Sequence, residues 1–255
     1  MELPEECWES IFSFLEHHRY SEPLSLVCKR FLSITSHLRR TLTITDPTLE
    51  SLPNILLRFP NLTTIVFRDF HVVDISYPDH GCGFSPNGSL DSKSVSGLLT
   101  DYGILRLASS LKSLRKIDLS GNTFITDQAL VTLSSNCLFL TEIGIRDCDF
   151  ITQNGIALAL RKSDNLKSIF INGIGIPSID ACFLDSFAYA RSLSELDLSN
   201  SFISDELLCL VAEANLPLHK LVSLVAFVSH LMGFVFSCPS IRLLHTWILK
   251  EQISG

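Results

Sequence analysis

The chain has 255 residues, enough for one or two domains with a real core, and 46% of them are hydrophobic. Its formal charge of -7 argues against a nucleic-acid binder, which needs a basic stripe, and no run of like charge marks a basic or acidic tail. The mean hydropathy of +0.31 is high for a soluble protein, and much of it comes from leucine and isoleucine.

Taken from its start, the chain opens on a helix. Pro4 suits a first turn, where a missing N–H costs nothing, and Glu5, Glu6 and Glu9 place negative charge against the positive end of the helix dipole. Trp8, Ile11, Phe12 and Leu15 recur on one face. After a polar break at Arg19–Ser21, Ser21 is expected to cap a second helix with Pro23 close to its start. The expected inner face of that helix is Leu24, Val27, Cys28, Phe31 and Ile34. Leu26 falls off it, as does much of Leu3–Pro4. Helices this few and short cannot bury so much apolar surface alone, so something else is expected to cover it.

Three pieces stand in order here: Leu3-Pro4-x-Glu6, Ile11-Phe12-x-x-Leu15, and Ser25-Leu26-Val27-Cys28-Lys29-Arg30-Phe31. Together they resemble an F-box. The resemblance implies docking on the Skp-type adaptor of a cullin-RING ubiquitin ligase. The implied contact residues are Leu3, Pro4, Ile11, Phe12, Leu15, Leu26, Val27, Cys28, Lys29 and Phe31, in a helix-packing mode of recognition. Read without the resemblance, the same stretch is a helical cap on whatever follows.

Arg39 and Arg40 suit a helix end, and Leu42 and Ile44 read as a short strand. One phrase then recurs: Leu62-x-x-Ile65-x-Phe67, Leu114-x-x-Ile117-x-Leu119, Leu140-x-x-Ile143-x-Ile145, Leu166-x-x-Ile169-x-Ile171 and Leu193-x-x-Leu196-x-Leu198. Successive starts from Leu114 lie 26, 26 and 27 residues apart, and the interval of 52 from Leu62 leaves room for two periods. This period and phrase mark a leucine-rich repeat. The ninth position should turn the chain and satisfy backbone groups. Asn122 and Cys148 suit it, Ile174 and Ser201 less so. Ile125-Thr126-Asp127, Ile151-Thr152-Gln153 and Ile203-Ser204-Asp205 then start helical runs over Ala129–Leu133, Gly155–Leu160 and Glu206–Ala212.

Cys137, three residues before Leu140, completes a pattern similar to the cysteine-containing, ribonuclease-inhibitor-like repeats of F-box proteins. To about Leu216 the chain resembles an F-box/leucine-rich-repeat protein of the plant branch with a shortened array, most loosely at Ser76–Ser96 and after Leu218. The expected fold is α/β, a short helical F-box followed by a solenoid with a curved parallel sheet and outer helices. Its parts are an F-box at 1–41, first repeats at 42–113 with a polar insertion at 76–96, regular repeats at 114–216, and a divergent repeat at 217–255.

Leu221-x-x-Leu224 reads as the start of that divergent repeat. Leu221–Cys238 holds eighteen residues without a formal charge, close to the lower limit for a membrane span. His230 in mid-run, the serines and the lack of a basic cluster beyond Lys220 favour a buried helix or degenerate repeat instead. An array without a polar cap would expose its last apolar layer.

Eight cysteines (7, 28, 82, 137, 148, 182, 209 and 238) form no CxxC or CxxH pair, so a structural zinc site is not expected. Most stand in apolar periodic segments, where a free thiol behaves as a small hydrophobe. No signal-peptide pattern precedes the acidic helix, so the expected compartment is the reducing cytoplasm or nucleus, and Asn-x-Ser/Thr matches at Asn61 and Asn87 are chance. His71, His80 and Cys82 lack regular ligand spacing. Asp118, Asp197 and Glu195 read as solvated strand residues.

No phosphate loop, metalloprotease or hydrolase motif occurs, so neither catalysis nor a cofactor is expected. Recognition remains. The outward strand positions mix both charges, and Phe170, Arg115 and Arg146, with Glu195, are the candidates for contact with a target protein. The resemblance implies a substrate receptor of an SCF-type ubiquitin ligase. The alternative is a repeat scaffold with no ligase role, membrane-tethered through 221–238.

Overall fold

The structure, a computed structural model, describes residues 3–15, 18–45, 52–68, 99–172, 181–199, 211 and 213–222. A single Leu-x-x-Ile-x-Leu phrase has an apolar face and nothing to cover it, so stability must come from stacking one phrase on the next. Among the described residues seven strands stack in this way. Strands β1 (Thr41–Ile44), β2 (Thr64–Phe67), β3 (Lys116–Asp118), β4 (Glu142–Arg146), β5 (Ser168–Asn172), β6 (Glu195–Asp197) and β7 (Lys220–Val222) form one parallel sheet in sequence order. Between them run the helices α4 (Leu52–Arg58), α5 (Asp101–Ser110), α6 (Asp127–Asn136), α7 (Gln153–Lys162) and α8 (Ala181–Ser186). α1 (Glu5–Ser13), α2 (His18–Ser25) and α3 (Lys29–Leu38) precede the array.

Register follows from burial. Ile65, Ile117, Ile143, Ile169, Leu196 and Leu221 pair across successive strands and form one buried layer. Leu62, Leu114, Leu140, Leu166 and Leu193 form a second. Each such side chain contributes roughly 1.5–3 kcal/mol by leaving water. Just before each strand, one carbonyl accepts two N–H groups of the next repeat. Arg40 receives Thr63 and Thr64, Thr63 receives Arg115 and Lys116, and Arg115, Thr141, Lys167 and Ser194 continue the series.

Register also revises two expectations. β2 pairs directly with β3, Thr64 opposite Lys116, so no strand stands between them. The room for two periods between Leu62 and Leu114 therefore adds no strand to the sheet between β2 and β3. Leu221 lies opposite Leu196, so the last described repeat begins at Leu218, three residues before the expected start. Leu218 is half-buried against the core. The segments 69–98 and 223–255, with the insertion, His71, His80, Cys82 and nearly all of Leu221–Cys238, lie outside the described residues.

The N-terminal helices differ from expectation in one place. Pro23 sits inside α2 without an N–H, and the helix ends two residues later. Leu26 and Val27 form the turn and Cys28 becomes the N-cap of α3. Ser21 is thus inside a helix, not its cap. Val27 and Cys28 lie exposed at the break instead of on an inner face.

Cross-repeat polar contacts order the helices. Asp101 accepts from the Thr126 N–H and hydroxyl (2.9 and 2.7 Å), and Asp127 accepts likewise from Thr152 (2.6 Å each). Thr126 and Thr152 are the helix caps anticipated from their sequence, accepting from the N–H of Gln128 and Asn154. At the ninth position Asn122 donates to the Leu119 carbonyl at 2.7 Å, and the Cys148 thiol reaches the same carbonyl at 3.2 Å.

Two measurements test this packing. A β-carbon on Gly155 would stand 2.6 Å from Asp127 Cγ and 2.9 Å from its Cβ. Helix propensity alone favours Ala there by about 1 kcal/mol. The clash reverses the sign, and Gly155→Ala is expected to destabilise by about 1–3 kcal/mol in urea denaturation. Burial pushes the Cys148 thiol to about 12 and the Cys137 thiol to about 11, whereas Cys7, Cys28 and Cys182 are exposed. Brief native maleimide labelling read by mass spectrometry should modify those three and spare Cys137 and Cys148.

Candidate recognition surfaces

The N-terminal helices close a small interior of their own. Trp8, Phe12 and Phe31 form an aromatic triangle with centroid separations of 5.8, 4.9 and 4.9 Å. Arg30 donates to the Leu3 carbonyl at 2.8 Å and ties the first residues to α3. With this interior filled and Ile34 buried beside it, several large apolar side chains still face solvent. Leu26 is 86% and Phe14 83% exposed, and Leu3, Ile11 and Val27 join them.

The ten expected adaptor contacts therefore divide. Leu3, Pro4, Ile11, Leu26, Val27, Cys28 and Lys29 are exposed, while Phe12 is buried and Leu15 and Phe31 are half-buried. Phe14 was missed because it lies off the periodic face of α1. Its signal was the surplus aromatic residue in Phe12-Ser13-Phe14-Leu15.

This helical unit is joined to the array. Arg40 begins the carbonyl series, Asn61 donates to the His37 carbonyl at 2.9 Å, and Arg40 donates to the Asn61 carbonyl at 3.1 Å. The Arg39 and Arg58 guanidinium groups lie 5.1 and 5.0 Å from the Phe59 ring centroid.

The second surface is the sheet face away from the helices. In-register rows cross it. One runs Lys116, Glu142, Ser168, Glu195, Lys220, and the next Asp118, Gly144, Phe170, Asp197, Val222. Lys116 pairs with Glu142 at 2.6 Å, and Glu195 faces His219 and Lys220 at 3.6 and 3.9 Å. Gly144 leaves room for Asp118, whose Oδ1 would lie 2.5 Å from a β-carbon there.

Arg146 reaches across β5 to Asp197 at 2.7 Å, with its guanidinium 4.9 Å from the Phe170 ring centroid. Two of the four expected target contacts, Arg146 and Phe170, are thus one preassembled unit. Glu195 stands in the adjoining row, and Arg115 is separate, where β3 begins. Asp197 is not the solvated carboxylate expected from its strand position. It is buried, accepting from Arg146 and from the Ser199 N–H and hydroxyl. The signal was the recurrence of Asp-Leu-Ser at 118–120 and 197–199, since Asp118 accepts from Ser120 in the same way.

Among the described residues no cluster of three His, Cys, Asp or Glu residues suits a metal ion, and no helix is long and apolar enough to cross a membrane.

Stacked parallel strands, a 26–27-residue period and a buried ninth-position Asn or Cys define a leucine-rich-repeat protein. No family model matches the chain. It is similar to EEED8.10, a Caenorhabditis elegans protein named for a proposed RNA-binding role, with 30% identity over 112 residues. That match covers 44% of this chain and 15% of the relative. It is also similar to the coronatine-insensitive protein homolog 1b of Oryza sativa subsp. japonica, 21% identical over 253 residues, 94% of this chain and 38% of that one. The chain thus spans well under half the length of either relative. Among solved structures it matches internalin C2 of Listeria monocytogenes with 16% identity and a TM-score of 0.44, over 82% of this chain and 84% of that one.

The Arg146–Asp197 pair is testable through pH. Burial alone would raise the Asp197 pKa, but hydrogen bonds from Ser199 and Arg146 and the Arg146 charge hold it below the ordinary carboxylate value. The pair's stabilisation is therefore complete above the unfolded carboxylate pKa of about 4 and is lost as pH falls through the lower folded value. Arg146→Ala should begin that acid-side loss at higher pH. Near neutrality it should cost about 1–3 kcal/mol in urea denaturation, because a buried carboxylate loses its partner.

Proposed function

We propose that the chain is a substrate-recognition subunit of an SCF-type ubiquitin ligase, holding a Skp-type adaptor with its N-terminal helices and a target protein with its repeat array. One observation carries the reading. The N-terminal helices fill their own interior and still present Leu3, Ile11, Phe14, Leu26 and Val27 to solvent. Large apolar residues gathered on so small a helical unit mark a contact surface. The F-box resemblance gives that surface its partner. The rice relative, an F-box/leucine-rich-repeat protein, supports the same reading.

The division of labour is then physical. Helices α1–α3 dock by apolar packing, and the hydrogen bonds at Arg40 and Asn61 carry the docked end into the array. The sheet face presents Arg146 and Phe170 as a rigid pair, flanked by Glu195 and Arg115, for the target. Catalysis belongs to other subunits, and this one contributes proximity and orientation.

Titration of the whole chain with a purified Skp-type adaptor tests the reading. Leu26→Asp and Phe14→Ser should each weaken binding about tenfold or more, the cost of losing an interface anchor. Circular dichroism should remain unchanged because both side chains lie outside the interior. Absence of binding by folded wild-type protein, or full binding by both variants, contradicts it. Phe31→Ala is a poor probe, since Phe31 packs on Trp8 and Phe12.

A further inference from the structure

The residue just before the first leucine of each repeat has a structural task in this array. Asn61, Ser113, Asn165 and Ser192 each donate a side-chain hydrogen bond back to a preceding turn. The acceptors are the carbonyls of His37 (2.9 Å), Leu62 (3.2 Å), Leu138 (2.9 Å) and Asp164 (2.6 Å). Two positions depart from this: Pro217, before the last described strand, and Phe139 in mid-array. Phe139 has no group to donate. It stands 55% exposed beside Leu138, which is 68% exposed. The turns on both sides keep the pattern, so Phe139 is not drift at a frayed end. Where one repeat gives up a structural residue for an exposed aromatic ring, a binding role is the physical expectation.

Charge around this ring has one dominant sign. The preceding turn carries Lys112 and Arg115, and the two that follow carry Lys167 and Arg191, with Asp164 their one carboxylate. Of the carboxylates that open the strands beside them, Glu142 is paired with Lys116 and Glu195 faces His219 and Lys220. Thr141 donates to the Arg115 carbonyl at 2.7 Å, and Lys167 donates to the Thr141 carbonyl at 2.8 Å. Arg115 and Lys167 therefore flank Thr141, two residues along the chain from Phe139. Neither side chain makes a hydrogen bond or ion pair with any described residue. The chain as a whole carries -7, so this cationic edge runs against its average.

We propose that the edge where the strands begin, centred on Leu138 and Phe139 and flanked by Arg115 and Lys167, binds an acidic protein segment with an apolar side chain among its carboxylates. The ring and Leu138 supply the desolvated anchor, and the cations supply steering and register. The inference does not depend on the ligase reading. Single-stranded RNA would also meet a ring and cations. It fits less well, because Leu138 has no stacking face and an acidic chain repels a polyanion.

The test uses Phe139→Asn, which restores the residue type of Asn61 and Asn165. A structural ring would make this variant less stable. A binding ring predicts a melting temperature unchanged or raised, because the asparagine can donate to the preceding turn as its counterparts do. Randomised peptides displayed on phage are selected on the whole chain. Selected peptides should carry Asp or Glu around Leu, Phe or Trp. They should bind about tenfold or more weakly to Phe139→Asn and to Arg115→Glu/Lys167→Glu, and more weakly as salt rises. The proposal is overturned if no peptide is selected or the selected peptides are not acidic. It is equally overturned if they bind Phe139→Asn as well as wild type, or are displaced by oligouridine. Self-association in sedimentation that Phe139→Asn abolishes would assign the edge to a second copy and overturn it too.

Discussion

One carbonyl per repeat, accepting two N–H groups from the next, is the interaction on which this molecule rests. The series runs through Arg40, Thr63, Arg115, Thr141, Lys167 and Ser194. It holds each strand one register step from its neighbour, and the Ile/Leu layer beneath penalises any slip. A shift of one residue would expose Ile117 or Ile143 and bury Lys116 or Glu142. Because the register is held, side chains far apart in sequence become neighbours in rows on the sheet face. Arg146 reaches Asp197 for that reason, although 51 residues separate them.

The same series joins two kinds of structure. Its first member, Arg40, follows α3, so the helical unit is joined to the array by the device that joins repeat to repeat. A helical end and a sheet face connected in this way suit a molecule that holds two partners at a set distance.

Much of this was legible in the sequence, and the reasons are specific. Period and phrase placed the buried leucines and isoleucines because solenoid burial repeats with the chain. Thr126 and Thr152 announced their helices because capping needs a side-chain oxygen at one position. What escaped were features set by neighbours outside the local phrase. Leu218 and Leu221 both satisfy the repeat pattern, and only pairing with Leu196 decides between them. The interval between Leu62 and Leu114 fits two periods by length, and only the direct β2–β3 ladder shows that no strand of the sheet lies between them. Pro23 lies where a helix start and a helix interruption look alike in one dimension. Burial of Asp197 needed Arg146 from two strands away. Phe14 and Phe139 were passed over because each stands off the repeating pattern, which is also what leaves them exposed.

The central claim, that the N-terminal helices and the array are separate contact surfaces on one connected scaffold, is tested most directly by hydrogen exchange of the whole chain with and without a Skp-type adaptor. The account predicts added protection within residues 3–15 and 18–38, and unchanged exchange across β3–β6. Protection spread over the strands, or none in the helices under saturating adaptor, would contradict it.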